Sequence, residues 1–204
     1  MLSYSESLKI LKETRALLEG HFILSSGLRS RQYVQCAKLL SQPKKAELVC
    51  SSLCNKIKKY YSKIDVILAP AIGGIVVGYE IGRQLNVKTI FAERQSGKLI
   101  LRRDFEISKK SNVLIVEDVI TTGKSALECS KIVKKNKANL IGYACIIDRS
   151  NKNLLIKDKI VSQIKLKIET FNKKNTPKDL IKVKAIKPGS RNLSKWLLED
   201  LVWI

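Results

Sequence analysis

Short, unbroken apolar runs alternate along the chain with longer segments whose apolar residues recur every three or four positions. The clearest of these longer segments, residues 43–61, carries apolar side chains on one stripe and lysines on the other. The pattern predicts helices over residues 5–18, 43–61, 73–85 and 125–135, and strands over residues 32–37, 66–69, 89–92, 113–116 and 140–147. This alternation indicates an α/β fold with a parallel sheet covered by helices on both faces. In such sheets ligands bind beyond the carboxyl ends of the strands, so functional residues are expected there.

Two later stretches depart from the alternation. Residues 93–112 are basic, contain Gly97 and show no clear period, so they predict a long loop of the kind that acts as a lid. Alternating apolar and polar residues over 164–168 predict a half-exposed strand. Thr176-Pro177 predicts the start of a helix with proline in its first position.

Length and composition narrow the class of protein. The 204 residues suit one domain, and 45% apolar with 28% charged residues is typical of a globular chain. The apolar runs are far shorter than the roughly 20 residues that span a membrane, and the N-terminus does not resemble a signal peptide. We therefore expect a cytoplasmic protein without membrane contact. Five cysteines and one histidine favour neither a disulfide framework nor a zinc site.

The charge balance leaves two interpretations open. Thirty-nine basic against eighteen acidic residues give a net charge of +21, which suits either a polyanion-binding surface or a lysine-rich, solvated one. Because the lysines are spread along the chain, we favour the second and do not expect nucleic acid as a partner.

Residues 113–125 carry the most informative chemistry. A predicted strand ends in the carboxylates Glu117 and Asp118, and a turn with Thr121, Thr122 and Gly123 leads into a helix. Backbone N–H groups at a helix start bind anions, and carboxylates accept hydrogen bonds from hydroxyls. A phosphate beside a diol describes a ribose 5-phosphate. The segment is not a Walker A loop, because that motif requires glycine at position 118.

Residues 113–125 resemble the phosphoribosyl diphosphate (PRPP) motif of the type I phosphoribosyltransferases. Four further segments resemble motifs of the orotate-specific members of that family: residues 20–27, 69–75, 148–149 and 187–191. The resemblance implies a phosphoribosyltransferase-like parallel sheet with a small hood formed from the N- and C-terminal segments. It implies one domain over 1–204, with a core at about 40–150 and a hood from about 1–39 and 151–204.

The resemblance also implies an activity: transfer of the phosphoribosyl group of PRPP to N1 of orotate, which gives orotidine 5′-monophosphate and pyrophosphate in pyrimidine biosynthesis. The enzymes of this family are homodimers with shared active sites, and Mg²⁺ is expected through the diphosphate rather than in a protein metal site. Another base-specific phosphoribosyltransferase is the alternative, followed by a PRPP-sensing regulator that binds nucleic acid.

Residue roles follow from the same resemblance. Glu117 and Asp118 would hold the ribose hydroxyls, and residues 119–125 would wrap the 5-phosphate. The implied PRPP-binding set is Glu117, Asp118, Val119, Ile120, Thr121, Thr122, Gly123, Lys124 and Ser125. The implied orotate-binding set is Thr121, Arg149 and Tyr33.

In this family a mobile loop supplies cations to the leaving pyrophosphate. Here the candidates are Arg94, Lys98, Arg102 and Arg103, and Lys98 is favoured. The implied catalytic set is Lys98, Arg94 and Asp118. The loop differs from the usual pattern of two lysines and a histidine, because it has no histidine and Lys98 is its only lysine between Arg94 and Arg103. Ser25 and Gly73 stand where lysines are usual.

Overall fold

A computed structural model describes residues 1–24 and 26–188 as helices and strands in two sheets. The helices are α1 (Tyr4–Glu13), α2 (Ala37–Leu40), α3 (Pro43–Tyr60), α4 (Gly73–Leu85), α5 (Lys124–Lys135) and α6 (Lys178–Ile181), and a 3-10 turn covers Lys173–Asn175. The strands are β1 (Leu17–Ile23), β2 (Arg29–Val34), β3 (Val66–Pro70), β4 (Lys88–Gln95), β5 (Lys98–Leu101), β6 (Asn112–Ile120), β7 (Asn139–Asp148), β8 (Ile160–Lys165) and β9 (Thr170–Phe171). None of the helices in these ranges is long and apolar enough to cross a lipid bilayer.

The larger sheet has the strand order β5-β4-β3-β6-β7-β8. All its neighbouring strands run parallel except β5, which pairs antiparallel with β4. All five residues of β3 are buried, as expected for a strand covered on both faces. The predicted parallel sheet flanked by helices is confirmed.

Helices cover the two faces of this sheet through separate apolar clusters. On one face α3 buries Val49, Leu53 and Ile57 beside α4. On the other face α5 buries Cys129 and Val133. The two clusters hold β6 at the centre of the molecule, and the position of its carboxyl end is fixed from both sides.

A smaller antiparallel sheet combines the two ends of the chain. Its order is β1-β2-β9, and an isolated bridge joins Phe22 to Ile186. The Ser30 hydroxyl donates to the Glu169 carbonyl at 3.0 Å, and Nδ1 of the buried His21 lies 2.9 Å from the Val183 carbonyl oxygen.

The central sheet includes β8, which lies beyond residue 150. Ser25 and residues 189–191 of the resembling segments lie outside the described residues.

The predicted helix over 5–18 is wrong at its C-terminal end. The helix stops at Glu13, where the Thr14 hydroxyl donates to the Ile10 carbonyl and Arg15 adopts a φ of 58°. The chain then enters β1 at Leu17. The spacing of apolar residues near Leu17 is compatible with either a longer helix or a strand. The chain forms a strand here because it pairs with β2, which is a tertiary effect.

The predicted loop over 93–112 is wrong in its first half. Strand β4 continues to Gln95 and forms a hairpin with β5. The two turn residues, Ser96 and Gly97, both have positive φ (46° and 81°), as tight hairpins require. The cations of the expected lid therefore lie on and around a β-hairpin at the edge of the sheet.

Other boundaries shift by a few residues. The strand predicted at 113–116 is β6, which continues to Ile120 and so includes both carboxylates. The strand predicted at 32–37 is β2 and lies over Arg29–Val34, and the strand predicted at 164–168 is β8, which ends at Lys165. Pro177 directly precedes the first residue of α6 rather than occupying it, because its ψ of 144° is not helical.

Candidate active site

The paired carboxyls lie near the carboxyl end of the central strand. Glu117 and Asp118 are on β6, which runs between β3 and β7. Both residues are half-buried. Glu117 and Asp118 therefore lie near the edge of the sheet at which parallel sheets bind ligands, as their position after the apolar run of residues 113–116 predicts.

The environment of the two carboxyls favours their neutral forms. Burial, and then the charge of Asp118, raise the pKa of Glu117 from its ordinary value of 4.5 to about 8. Burial also raises the pKa of Asp118, and the backbone N–H of Val119, which donates to its carboxylate at 2.9 Å, acts in the opposite direction. Hydrogen bonds donated by the hydroxyls of a ligand would stabilise the ionised forms of these two carboxyls.

Gly73 leaves space for the Asp118 carboxylate at the start of α4. A β-carbon at Gly73 would lie 2.8 Å from a carboxylate oxygen of Asp118, closer than real side chains allow. The lysine that resembling enzymes often carry at this position therefore does not fit this arrangement of Asp118. No pattern along the chain predicts this contact, because 45 positions separate the two residues.

The turn after β6 presents backbone donors. Gly123 precedes α5 with a φ of 73°, a left-handed conformation that favours glycine. The first helical bond runs from the Leu127 N–H to the Gly123 carbonyl at 2.8 Å, so the N–H groups before Leu127 are those that a helix start offers to an anion. Thr121 and Thr122 are exposed beside them. The turn predicted to hold a phosphate has the local geometry for it.

Arg149 follows β7 and reaches the same edge of the sheet. Its backbone N–H donates to the Ile120 carbonyl at 2.8 Å. Within the described residues its Nε is buried without a hydrogen-bond partner, and burial lowers the pKa of the guanidinium while the nearby Tyr33 raises it. Tyr33 thus lies near enough to Arg149 to act on its charge, and contact of both residues with one ligand stays a prediction. A half-buried cation with an unpaired N–H within the described residues favours an anionic ligand.

The cations of the hairpin are differently engaged. Arg94 Nη1 lies 3.0 Å from Glu128 Oε2 on α5, and Arg103 pairs with Glu93 at 2.9 Å. Lys98 is exposed at the first position of β5. Glu128 also accepts from the Leu99 N–H at 3.2 Å, so it ties the hairpin to α5. The pattern of residues did not single out Glu128, since an acidic residue on a helix face is common.

Comparison with known proteins gives consistent results. A model of the phosphoribosyl transferase domain matches residues 37–179. The chain is 44% identical over 184 residues to the orotate phosphoribosyltransferase of Caldicellulosiruptor bescii, covering 90% of this chain and 96% of that protein. It is 43% identical to the orotate phosphoribosyltransferase of Caldicellulosiruptor saccharolyticus, covering 91% and 96%.

Solved structures show the same fold at lower identity. The orotate phosphoribosyltransferase of Aeropyrum pernix superposes with a TM-score of 0.66 at 21% identity, covering 78% of this chain and 93% of that one. The adenine phosphoribosyltransferase of Thermoanaerobacter pseudethanolicus gives a TM-score of 0.58 at 18% identity, covering 66% and 88%. The fold is thus common to enzymes for different bases, and the sequence relatives are the more specific evidence. The chain belongs to the phosphoribosyltransferase family and, within it, to the orotate phosphoribosyltransferases.

Proposed function

We propose that this protein transfers the phosphoribosyl group of PRPP to N1 of orotate, giving orotidine 5′-monophosphate and pyrophosphate in the synthesis of UMP. One observation carries the proposal. The carboxyl pair Glu117–Asp118, the helix start at Gly123 and Arg149 meet at one edge of the sheet, and Arg149 Nε has no hydrogen-bond partner in the part of the chain that the structure describes. These groups match a diol, a phosphate and an anionic base. The names of the two Caldicellulosiruptor relatives support the same substrates.

Each group has a role in holding the substrates. Glu117 and Asp118 accept hydrogen bonds from the ribose 2- and 3-hydroxyls, and residues 119–125 surround the 5-phosphate. Arg149 pairs with the carboxylate or a carbonyl edge of orotate, with Thr121 and Tyr33 beside it. Its planar guanidinium can donate two parallel hydrogen bonds to such an edge.

The hairpin provides the positive charge that the chemical step requires. When N1 of orotate bonds to the anomeric carbon, N1 releases its proton, the bond to pyrophosphate breaks and negative charge grows on the leaving group. A cation that meets this charge stabilises the transition state more than the bound substrates. We assign this role to Lys98, assisted by Arg94. Closure of the hairpin would also keep water from the anomeric carbon.

The donor set fits a magnesium ion that arrives on the diphosphate. Within residues 1–24 and 26–188, no group of three His, Cys, Asp or Glu side chains is arranged to hold a metal by itself. Mg²⁺ commonly takes one or two carboxylates plus substrate phosphates, and Asp118 would supply such an oxygen here. The ion would neutralise charge on the leaving group. Asp118 would then orient the ribose and also supply an oxygen to this ion.

The outer face of α4 suits a second copy of the chain. Ile72, Val76 and Tyr79 follow one another at helical spacing and are 85%, 51% and 64% exposed. Such a contiguous apolar stripe usually marks a contact surface. We propose a homodimer through this face in which the hairpin of one protomer serves its neighbour's site. We also propose a cytoplasmic enzyme that works as one domain over 1–204, with a core that runs from about residue 40 and takes in β8, and a hood from the rest of the two ends.

Replacing Lys98 with alanine tests the leaving-group role. We expect kcat to fall by about 10²-fold or more, with a much smaller change in the KM for PRPP, because the charge appears mainly in the transition state. Steady-state kinetics measure both values. Lys109→Ala, which removes an exposed lysine before β6, is the matched control and should leave kcat unchanged. An unaltered kcat in Lys98→Ala would remove this residue from the mechanism.

Replacing Gly73 with alanine tests the close approach of Asp118. The added β-carbon forces the carboxylate to move, so we expect the KM for PRPP to rise by about tenfold. Thermal unfolding should change little because Gly73 is exposed. If the KM for PRPP stays at the wild-type value, the position of Asp118 seen here is not the one that binds ribose.

A substrate panel tests the function itself. Purified protein with PRPP and Mg²⁺ should consume orotate, followed by its ultraviolet absorbance, and should leave adenine, guanine and hypoxanthine unchanged. Turnover of a purine instead would establish another base-specific phosphoribosyltransferase. Retention of DNA or RNA at physiological salt without any turnover would favour a nucleic-acid-binding regulator.

A further inference from the structure

The segment over residues 149–156 contacts the phosphate-binding turn at three points. At its first residue, the Arg149 N–H donates to the Ile120 carbonyl at 2.8 Å. Near its end, the Leu155 N–H donates to the Thr122 carbonyl at 2.9 Å. The Ile156 side chain packs on Gly123 so closely that a β-carbon there would lie 2.6 Å from its Cδ1. We name residues 149–156 the strap.

The strap acts where the conformation of the turn matters most. Gly123 has a φ of 73°, and glycine samples several backbone conformations when nothing holds it. The peptide N–H groups of the turn bind an anion only if they point to one place, which depends on this angle. Ile156 is 5% exposed and belongs to the same apolar cluster as Ile120 and Ala126, which flank the turn. Its position therefore limits how Gly123 can move.

We propose that Ile156 is a positioning residue for the 5-phosphate. Through its contact with Gly123, and with the Leu155–Thr122 hydrogen bond, it holds the turn in the binding conformation before substrate arrives. The strap starts at Arg149, so one segment of chain fixes both the turn for the phosphate and the backbone of the base-contacting arginine. This inference rests on the proposed function for the identity of the ligand.

The effect should be one of binding rather than of chemistry. Shortening Ile156 to alanine removes the contact with Gly123 and lets the turn sample conformations in which its N–H groups diverge. A site that must be ordered at the moment of binding has lower affinity, and we expect roughly a tenfold rise in the Kd for ribose 5-phosphate and in the KM for PRPP. The value of kcat should stay within about threefold, since Lys98 and Asp118 are untouched.

Ile107 provides a matched control. It is also 5% exposed and belongs to the same apolar cluster, but it precedes β6 and thus lies at the opposite end of the sheet from the turn. Ile156→Ala and Ile107→Ala should lose similar thermal stability, because each removes the same buried atoms. Only the first should weaken ligand binding. Ile156→Val removes only Cδ1, the atom nearest Gly123, and keeps the Cγ atoms behind it, so it should restore part of the affinity.

The decisive experiment measures the Kd for ribose 5-phosphate by calorimetry for wild type, Ile156→Ala, Ile156→Val and Ile107→Ala, at a temperature where all four are folded. Weaker binding in Ile156→Ala, with a smaller loss in Ile156→Val and none in Ile107→Ala, supports the proposal. Equal Kd values in the two alanine variants, whether unchanged or weakened together, overturn it. Failure of the proposed function has a different signature: wild-type protein that binds ribose 5-phosphate but does not consume orotate.

Discussion

Arg149→Met is expected to abolish most orotate turnover while making the ligand-free protein more stable. The guanidinium is partly buried with Nε unpaired among the described residues, so its burial opposes folding when no ligand is bound. A methionine of similar length removes that cost. Loss of a charge-assisted pair with orotate should lower kcat/KM for orotate by about 10²-fold, which corresponds to about 2.7 kcal/mol. Kinetics with orotate as the varied substrate and thermal unfolding give the two readouts.

Two further variants make this result specific. Arg149→Lys keeps the charge but loses the planar fork, so it should recover only part of the activity. Lys131→Met, which removes one charge from the exposed side of α5, should change neither orotate turnover nor stability. A wild-type KM for orotate in Arg149→Met would show that the base binds elsewhere.

Glu117→Gln is expected to remove the pH dependence of PRPP binding. With its pKa raised to about 8, Glu117 is largely neutral at pH 7 in the ligand-free protein and becomes a carboxylate above that value. A carboxylate accepts hydroxyl hydrogen bonds more strongly than a neutral acid, so the wild-type kcat/KM for PRPP should rise towards pH 8–9. The glutamine variant should give a flat profile, lower by about 10²-fold at the plateau.

The same residue has the opposite effect on folding. Its pKa is raised on folding, so between its ordinary value of 4.5 and about 8 the folded protein holds a proton that the unfolded chain releases. The contribution of Glu117 to the free energy of unfolding is thus fully present below pH 4.5 and is lost as the pH rises from 4.5 to about 8. The Glu117→Gln variant does not lose this stability. Its unfolding temperature should therefore rise relative to that of the wild type as the pH increases from 4.5 to 8.

Asp118→Asn separates the two causes of the shift. Burial is the larger cause and the Asp118 charge the smaller, so removing that charge should move the pH window of Glu117 downwards without abolishing it. Unfolding curves across pH measure the midpoint. A window that does not move would mean that the two carboxyls act independently.

The sequence was most informative where local pattern and tertiary context agree. Within residues 113–125 an apolar run predicts a strand, a hydroxyl-rich segment predicts a turn, and helical spacing predicts the helix that follows. The structure has β6, the turn with Gly123 and α5 in these places. The expectation that Arg149 and Tyr33 lie near one ligand came from the resemblance alone. No local pattern could give it, because the two residues lie on β2 and after β7.

Features decided by long-range contacts were missed. Leu17 begins a strand instead of ending a helix because β2 is there to pair with it. Lys98 lies on a hairpin rather than in an open loop because Ser96 and Gly97 make a tight turn and β4 offers an edge. The contacts of Gly73 with Asp118 and of Ile156 with Gly123 are set by packing between elements, which spacing along the chain does not encode.

A crystal structure of the protein with ribose 5-phosphate tests the central claim most directly. The account predicts the phosphate on the backbone N–H groups of residues 121–125, and the 2- and 3-hydroxyls within hydrogen-bond distance of Glu117 and Asp118. Density for the sugar phosphate at any other place on the chain, with this turn empty, would contradict it.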